Sequence, residues 1–166
     1  MKAVCLLVLA LGLVLPARAE TPEVVSDVTA TPRGEVMLHL SFVTTASPEK
    51  LWRSLTAEIE LVRWAAPKVL VELRQGGAYE FHFRPNQPRG RRGMEGTRIL
   101  SYVPGKMLSY STSPESWAVW TIDPAGDQQV LNFFMVGTGA EWNDTAEERL
   151  PGLVELMQKL AKYVQP

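Results

Sequence analysis

An α+β fold is predicted by three features of the 166-residue chain. Its last segment carries a helical apolar stripe. The middle is a series of short alternating stretches punctuated by glycine and proline turns. Two short helical stretches follow the first of the strands. In the last segment Leu153, Leu156, Met157, Leu160, Ala161 and Val164 recur at i, i+3, i+4, i+7, i+8 and i+11, while Glu155, Gln158, Lys159 and Lys162 take the other face. Such a helix, ending a strand-rich chain, must bury its stripe against a sheet.

The elements follow in order. Residues 1–19 read as a secretory signal peptide: Lys2, an apolar run from Ala3 to Leu15 too short for a stable span, and an A-x-A site at Ala17-Arg18-Ala19. Localisation in the periplasm or outside the cell is expected, with cleavage after Ala19. Cys5 is the one cysteine, so the processed chain would hold no disulfide and no cysteine ligand. Loss of Lys2 and Arg18 would leave 15 basic against 18 acidic residues, a net charge of −3. That balance gives no reason to propose nucleic acid, and no later segment is apolar enough to span a membrane.

Residues 20–33 are polar, aperiodic and carry two prolines, and read as a flexible leader. The remaining domain is 34–166. Val36, Leu38, Leu40 and Phe42 alternate with Met37, His39, Ser41 and Val43, a first strand. Ser47-Pro48 is an N-cap followed by proline at the first helical position, opening a short helix over 48–55 and then another over 58–64. Strands are expected over 69–73 and 79–84 around the Gln75-Gly76-Gly77 turn, over 94–103 and 107–113 around Pro104-Gly105-Lys106, and over 118–123 and 129–136 around residues 124–127. Short turns imply antiparallel pairing. Capping-box spacing at Asp144/Glu147 or Thr145/Glu148 starts the final helix near 145, and Pro151 implies a kink there or a start at Leu150.

Ala46-Ser47-Pro48-Glu49-Lys50-Leu51-Trp52, Glu60-Leu61-Val62-Arg63-Trp64, the 73–81 stretch around Gly76-Gly77 and the 96–108 stretch, in that order and spacing, resemble the START-like (SRPBCC) superfamily. The closest resemblance is to the branch named after the activator of the ninety-kilodalton heat-shock-protein ATPase, and it covers residues 40 to 164. It implies the helix-grip fold: a seven-stranded curved antiparallel sheet around the long C-terminal helix, with a cavity between them. It also implies a small hydrophobic ligand, lipid-like or polyketide-like, and in a minority of members a reaction upon it. An exported chain would not meet a cytosolic ATPase chaperone, so the branch's namesake role is not expected.

The candidate cavity lining is Trp52, Trp64, Phe81, Phe83, Trp117, Trp120, Phe134, Leu153 and Met157. Taken singly, each is as readily a packed core residue. Arg89, Arg91 and Arg92 sit in a Pro/Gly-rich loop and are candidate anion contacts. His39 and His82 fall opposite apolar neighbours by alternation and are expected on the outer side of the sheet. Tyr79, Tyr102 and Tyr110 offer hydroxyls, and Glu141 with Asp144 a carboxylate pair, which helix capping also explains. The sequence has no G-x-S-x-G, no phosphate-cradling glycine loop, no H-E-x-x-H and no Cys/His cluster, so no metal or cofactor is expected. Three functions stay open: a ligand carrier, a cofactor-independent cyclase/dehydratase-type enzyme, and an interaction protein with a filled core. Oligomeric state is not readable from the sequence.

Overall fold

The computed structural model describes residues 21–30, 32 and 34–165. The signal-peptide reading therefore lies outside the described residues. Within them the order is β1 (Val25–Ala30), β2 (Val36–Thr44), α1 (Pro48–Thr56), α2 (Glu58–Trp64), β3 (Lys68–Val71), β4 (Tyr79–His82), β5 (Gly93–Met94), β6 (Ile99–Val103), β7 (Met107–Ser113), β8 (Ser116–Ala125), β9 (Gln128–Gly137) and α3 (Ala140–Tyr163).

Pairing is antiparallel throughout, in a six-stranded sheet of order β1-β2-β9-β8-β7-β6 and a three-stranded one of order β3-β4-β5. The single strand expected over 94–103 is interrupted at Glu95-Gly96, where Gly96 takes φ +80°. A residue with a Cβ rarely adopts that backbone. The two sheets stay joined beside the interruption. Tyr79 N–H bonds Thr97 O (3.1 Å), Gly76 N–H bonds Ile99 O (2.8 Å) and Ile99 N–H bonds Gly77 O (2.9 Å). The expected curved sheet is thus present, bent at a corner and two strands longer than expected.

One added strand comes from the stretch read as a loose leader: β1 pairs with β2 from Val25↔Ser41 to Ala30↔Val36. Only Val28 of β1 is even half-buried. The strand is held by main-chain pairing at a sheet edge, which leaves no apolar period to read.

The first helix forms as expected. Ser47 Oγ accepts the Lys50 N–H (3.2 Å) and Pro48 occupies the first turn, where its missing donor is not needed. α3 starts earlier than either predicted start. Trp142 and Ala146 are buried, the Trp142 indole N–H bonds Val36 O (2.8 Å), and Asn143 brackets the start of β2 by accepting from Val36 N (3.2 Å) and donating to Gly34 O (2.9 Å). These tertiary anchors carry the helix back past the apparent caps. Asp144 lies inside the helix, exposed, and Pro151 is an interior residue.

The core lies between the concave face of the large sheet, α1 and α3. Leu38, Leu40, Leu51, Leu61, Leu108, Leu131, Leu160 and Ala161 are fully buried there. α3 packs chiefly on β2, with α2 and β1 as its other main neighbours. The gap between α3 and the small sheet is instead bridged by long side chains.

Candidate functional site

That gap holds a narrow apolar slot. It is lined by Trp64 and Ala65 at the end of α2, by Tyr79, Phe81 and Met94 of the small sheet with Phe83 just beyond β4, by Tyr110 and Trp120 of the large sheet, and by Leu156 of α3. Its volume is about 30 Å³, room for a water or two. Phe83 is 47% exposed, so the slot reaches the surface at that edge.

The lining is held firmly. Tyr79 packs edge-on against Phe81 (4.9 Å between centroids) and at a tilt against Tyr110 (4.6 Å). Its hydroxyl donates to Leu55 O at 2.6 Å. The Trp64 indole N–H donates to Ser54 O at 3.0 Å, tying α2 to α1. Trp120 packs on Phe133 at 4.5 Å. Burial pushes the Tyr79 phenol well above its usual range, with the nearby Tyr110 adding to it. Burial raises Tyr110 too, against a hydrogen bond from Trp120. No carboxylate lines the slot. The Tyr79 proton is already committed to Leu55 O, and neither phenol, held protonated, serves as a base near neutral pH.

Outside the slot, and sharing Trp64 and Ala65 with it, runs a groove of about 700 Å³. It lies between the α2–β3 connection and the last turns of α3. Val62, Ala66 and Pro67 form its apolar side, with Arg63, Lys159, Lys162 and Tyr163 along the rest. Tyr163 donates to the Glu60 carboxylate, and Glu60 also accepts from Arg53 at 2.7 Å. The hydrogen bond from Tyr163 is the main reason the Glu60 carboxyl sits below its usual range.

Of the nine predicted lining residues the slot gathers Trp64, Phe81, Phe83 and Trp120. Trp117 is 36% exposed on the far face of β8, because a spacing of three on a strand puts it opposite Trp120. Phe134 likewise faces outward, its ring stacked on His39 at 4.5 Å, while its neighbour Phe133 is buried. Met157 is 1% exposed in the core beneath the slot, Leu153 is half-buried a turn away, and Leu156 takes the lining position. Trp52 stacks on Tyr102 at 6.4 Å and is half-buried against the core.

The arginine loop stands apart. Arg89 and Arg91 are exposed, Arg92 donates to Gln87 O (3.0 Å), and none of the three lines the slot or groove. The loop is closed on itself by Glu95, whose carboxylate accepts the Gly90 and Arg92 N–H groups at 2.6 and 3.0 Å. His82 departs from its expected exposure: it is buried beside Glu80 (3.1 Å), and its Nδ1 has no partner among the described residues. Glu80 and His82 share a face two residues apart. Burial pushes the Glu80 carboxyl up, but hydrogen bonds from Arg98, His82 and the Gly96 N–H outweigh it and leave it below its usual range. Among the described residues no group of three His, Cys, Asp or Glu is placed to hold a metal, and no helix is long and apolar enough to cross a membrane.

Residues 45–165 match the family model described as activator of Hsp90 ATPase homolog 1-like protein. The chain belongs to that family. It is accordingly a START-like (SRPBCC) protein, as the local sequence words indicate. Solved structures share the fold. CalU16 from Micromonospora echinospora is 18% identical, with 89% of this chain and 88% of that one covered and a TM-score of 0.63. The conserved protein of unknown function EF2215 from Enterococcus faecalis is 18% identical over 84% and 77%, TM-score 0.66. CV1439 from Chromobacterium violaceum is 24% identical over 78% and 97%, TM-score 0.61. No curated protein sequence matches the chain. Folds of this kind commonly bind hydrophobic ligands.

Proposed function

We propose that this family member is an exported carrier of a small hydrophobic molecule, which it holds with the aromatic slot between α3 and the small sheet. The observation that supports this is the slot's makeup: nine residues from six separate stretches of the chain converge on an apolar space, with no carboxylate among them. At about 30 Å³ the space does not admit a ligand as it stands. On the α3 side, however, Leu156 and the half-exposed Phe83 line it through side chains rather than main-chain hydrogen bonds, so the slot can widen there by rotamer change while Tyr79 and Trp64 stay tied to α1. Each Å² of apolar ligand surface then covered contributes about 25 cal/mol before the costs of association. Export rests on the N-terminal signal-like run.

The small volume also favours a second reading, a surface-acting interaction protein with a filled core. The cyclase/dehydratase reading has two protonated phenols and no base in the slot. Purified protein should be incubated with a cell-envelope lipid extract, re-isolated, and its retained compounds identified by mass spectrometry. The carrier reading expects one apolar species near equimolar amount, lost in Leu156→Trp, which fills the slot. Retention of nothing from any extract overturns it in favour of the surface-acting protein.

A further inference from the structure

The geometry points to an anionic amphiphile as the ligand: a single-chain molecule whose carboxylate or comparable head lies in the groove against Arg63 and Lys162, and whose apolar end enters the slot past Trp64. This deepens the carrier reading and rests on it. Three observations carry it. The groove and the slot are contiguous, sharing Trp64 and Ala65. On α3, Leu156 lines the slot and Lys159 and Lys162, three and six residues further on, line the groove, so the polar and apolar ends of one ligand would meet successive turns of one helix. The groove's lining residues include three cations and no carboxylate, on a chain whose net charge is negative, and the nearby Glu155 and Glu60 engage Lys159 and Arg63 but leave Lys162 uncompensated among the described residues.

The cations are not equivalent. Lys159 is held by Glu155 at 2.7 Å. Arg63 lies beside Tyr163 and Glu60. Lys162 makes no hydrogen bond or ion pair among the described residues and is exposed. The head group's strongest new partner is therefore Lys162, with Arg63 offering the fork suited to a carboxylate. The resting volumes, about 700 Å³ outside against about 30 Å³ inside, fit a ligand that first seats in the groove and inserts its apolar end as the slot widens.

Dodecanoate and dodecanol, titrated calorimetrically into the protein, test the head group with the tail held constant. Dodecanoate should bind more tightly by roughly fivefold or more, a factor in keeping with solvent-accessible charge pairs, and its advantage should shrink as salt is raised. The double variant Arg63→Gln/Lys162→Gln should remove the difference, bringing dodecanoate down to the affinity of dodecanol. Lys162→Gln alone, at an exposed position without structural contacts, should remove part of it. Equal affinity for the two probes, unmoved by either variant, overturns the head-group assignment and leaves the apolar slot standing. Failure of both probes to bind overturns the carrier reading together with it.

Discussion

The Trp142 indole lies so close over Gly137 that a Cβ placed there would fall 2.3 Å from its Cδ2. No side chain fits without displacing the ring, and the ring cannot move freely because its N–H is bonded to Val36 O. Gly137→Ala should therefore cost about 1–3 kcal/mol, the usual range for overpacking. Urea denaturation of variant and parent would measure it. A change within a few tenths of a kcal/mol would mean that Trp142 does not hold α3 to the sheet.

Gly152 is the opposite case. It lies inside α3 with open space where a Cβ would go. Gly152→Ala should raise stability by about 0.5–1 kcal/mol through helix propensity and a stiffer unfolded chain. Thermal melts of the variant should show the rise, and a lowered midpoint would contradict it.

Tyr79→Phe separates a structural hydroxyl from a functional one. Its O–H donates to Leu55 O in the last turn of α1, with the ring 1% exposed. Loss of that bond should cost about 1–3 kcal/mol, as for a buried acceptor left unsatisfied. Affinity for dodecanoate should stay within about twofold, since the phenol is directed at the main chain. A large fall in affinity with little loss of stability would reverse the assignment.

Acid should loosen the C-terminal end of α3. The Glu60 carboxyl is held below its usual range, by Tyr163 first and by Arg53 and Arg63 as well. A carboxylate whose pKa is lower folded than unfolded adds stability that is whole above the unfolded value, near 4.5, and fades as pH falls through the folded one. Glu80 follows the same sign. Tyr163→Phe should lower stability at pH 7 by about 1 kcal/mol and flatten its fall as pH drops below 4.5. An unchanged acid limb would remove Glu60 from the account.

Phe133→Ala and Phe134→Ala should differ sharply although the residues are adjacent. Phe133 is 3% exposed against Trp120, and its truncation should cost about 3–5 kcal/mol. Phe134 covers His39 on the outer face and should cost about 1 kcal/mol or less. Parallel denaturant titrations would check the contrast, and similar losses would mean that the outer face is itself buried against something.

This pair shows how far the sequence could be read. Both short helices, the proline-capped start of α1, the hairpins and the terminal stripe were legible because each is specified locally. The lining was legible only in part, Trp64, Phe81, Phe83 and Trp120 but not Trp117 or Phe134, because alternation within one strand does not say which phase is inward. Cross-strand register does: Phe133 lies opposite Leu40 on one side and Trp120 on the other, and Leu40 is in the core. The same argument turns Trp117 outward, opposite Val136. β1 was missed because its support is main-chain pairing. The early start of α3 was missed because Trp142 and Asn143 reach across more than a hundred residues to residues 34–36, a contact with no local trace.

Pro151 offers no N–H to the carbonyl four residues earlier, and Gly152 follows it. α3 thus carries a seam near its middle. The half before it is moored to the start of β2 by Trp142 and Asn143; the half after it bears Leu156, Met157 and the lysines. The two halves are thus held separately, the leading one by hydrogen bonds to the start of β2 and the trailing one by the burial of Met157, Leu160 and Ala161, so strain at the proline need not pass from one to the other.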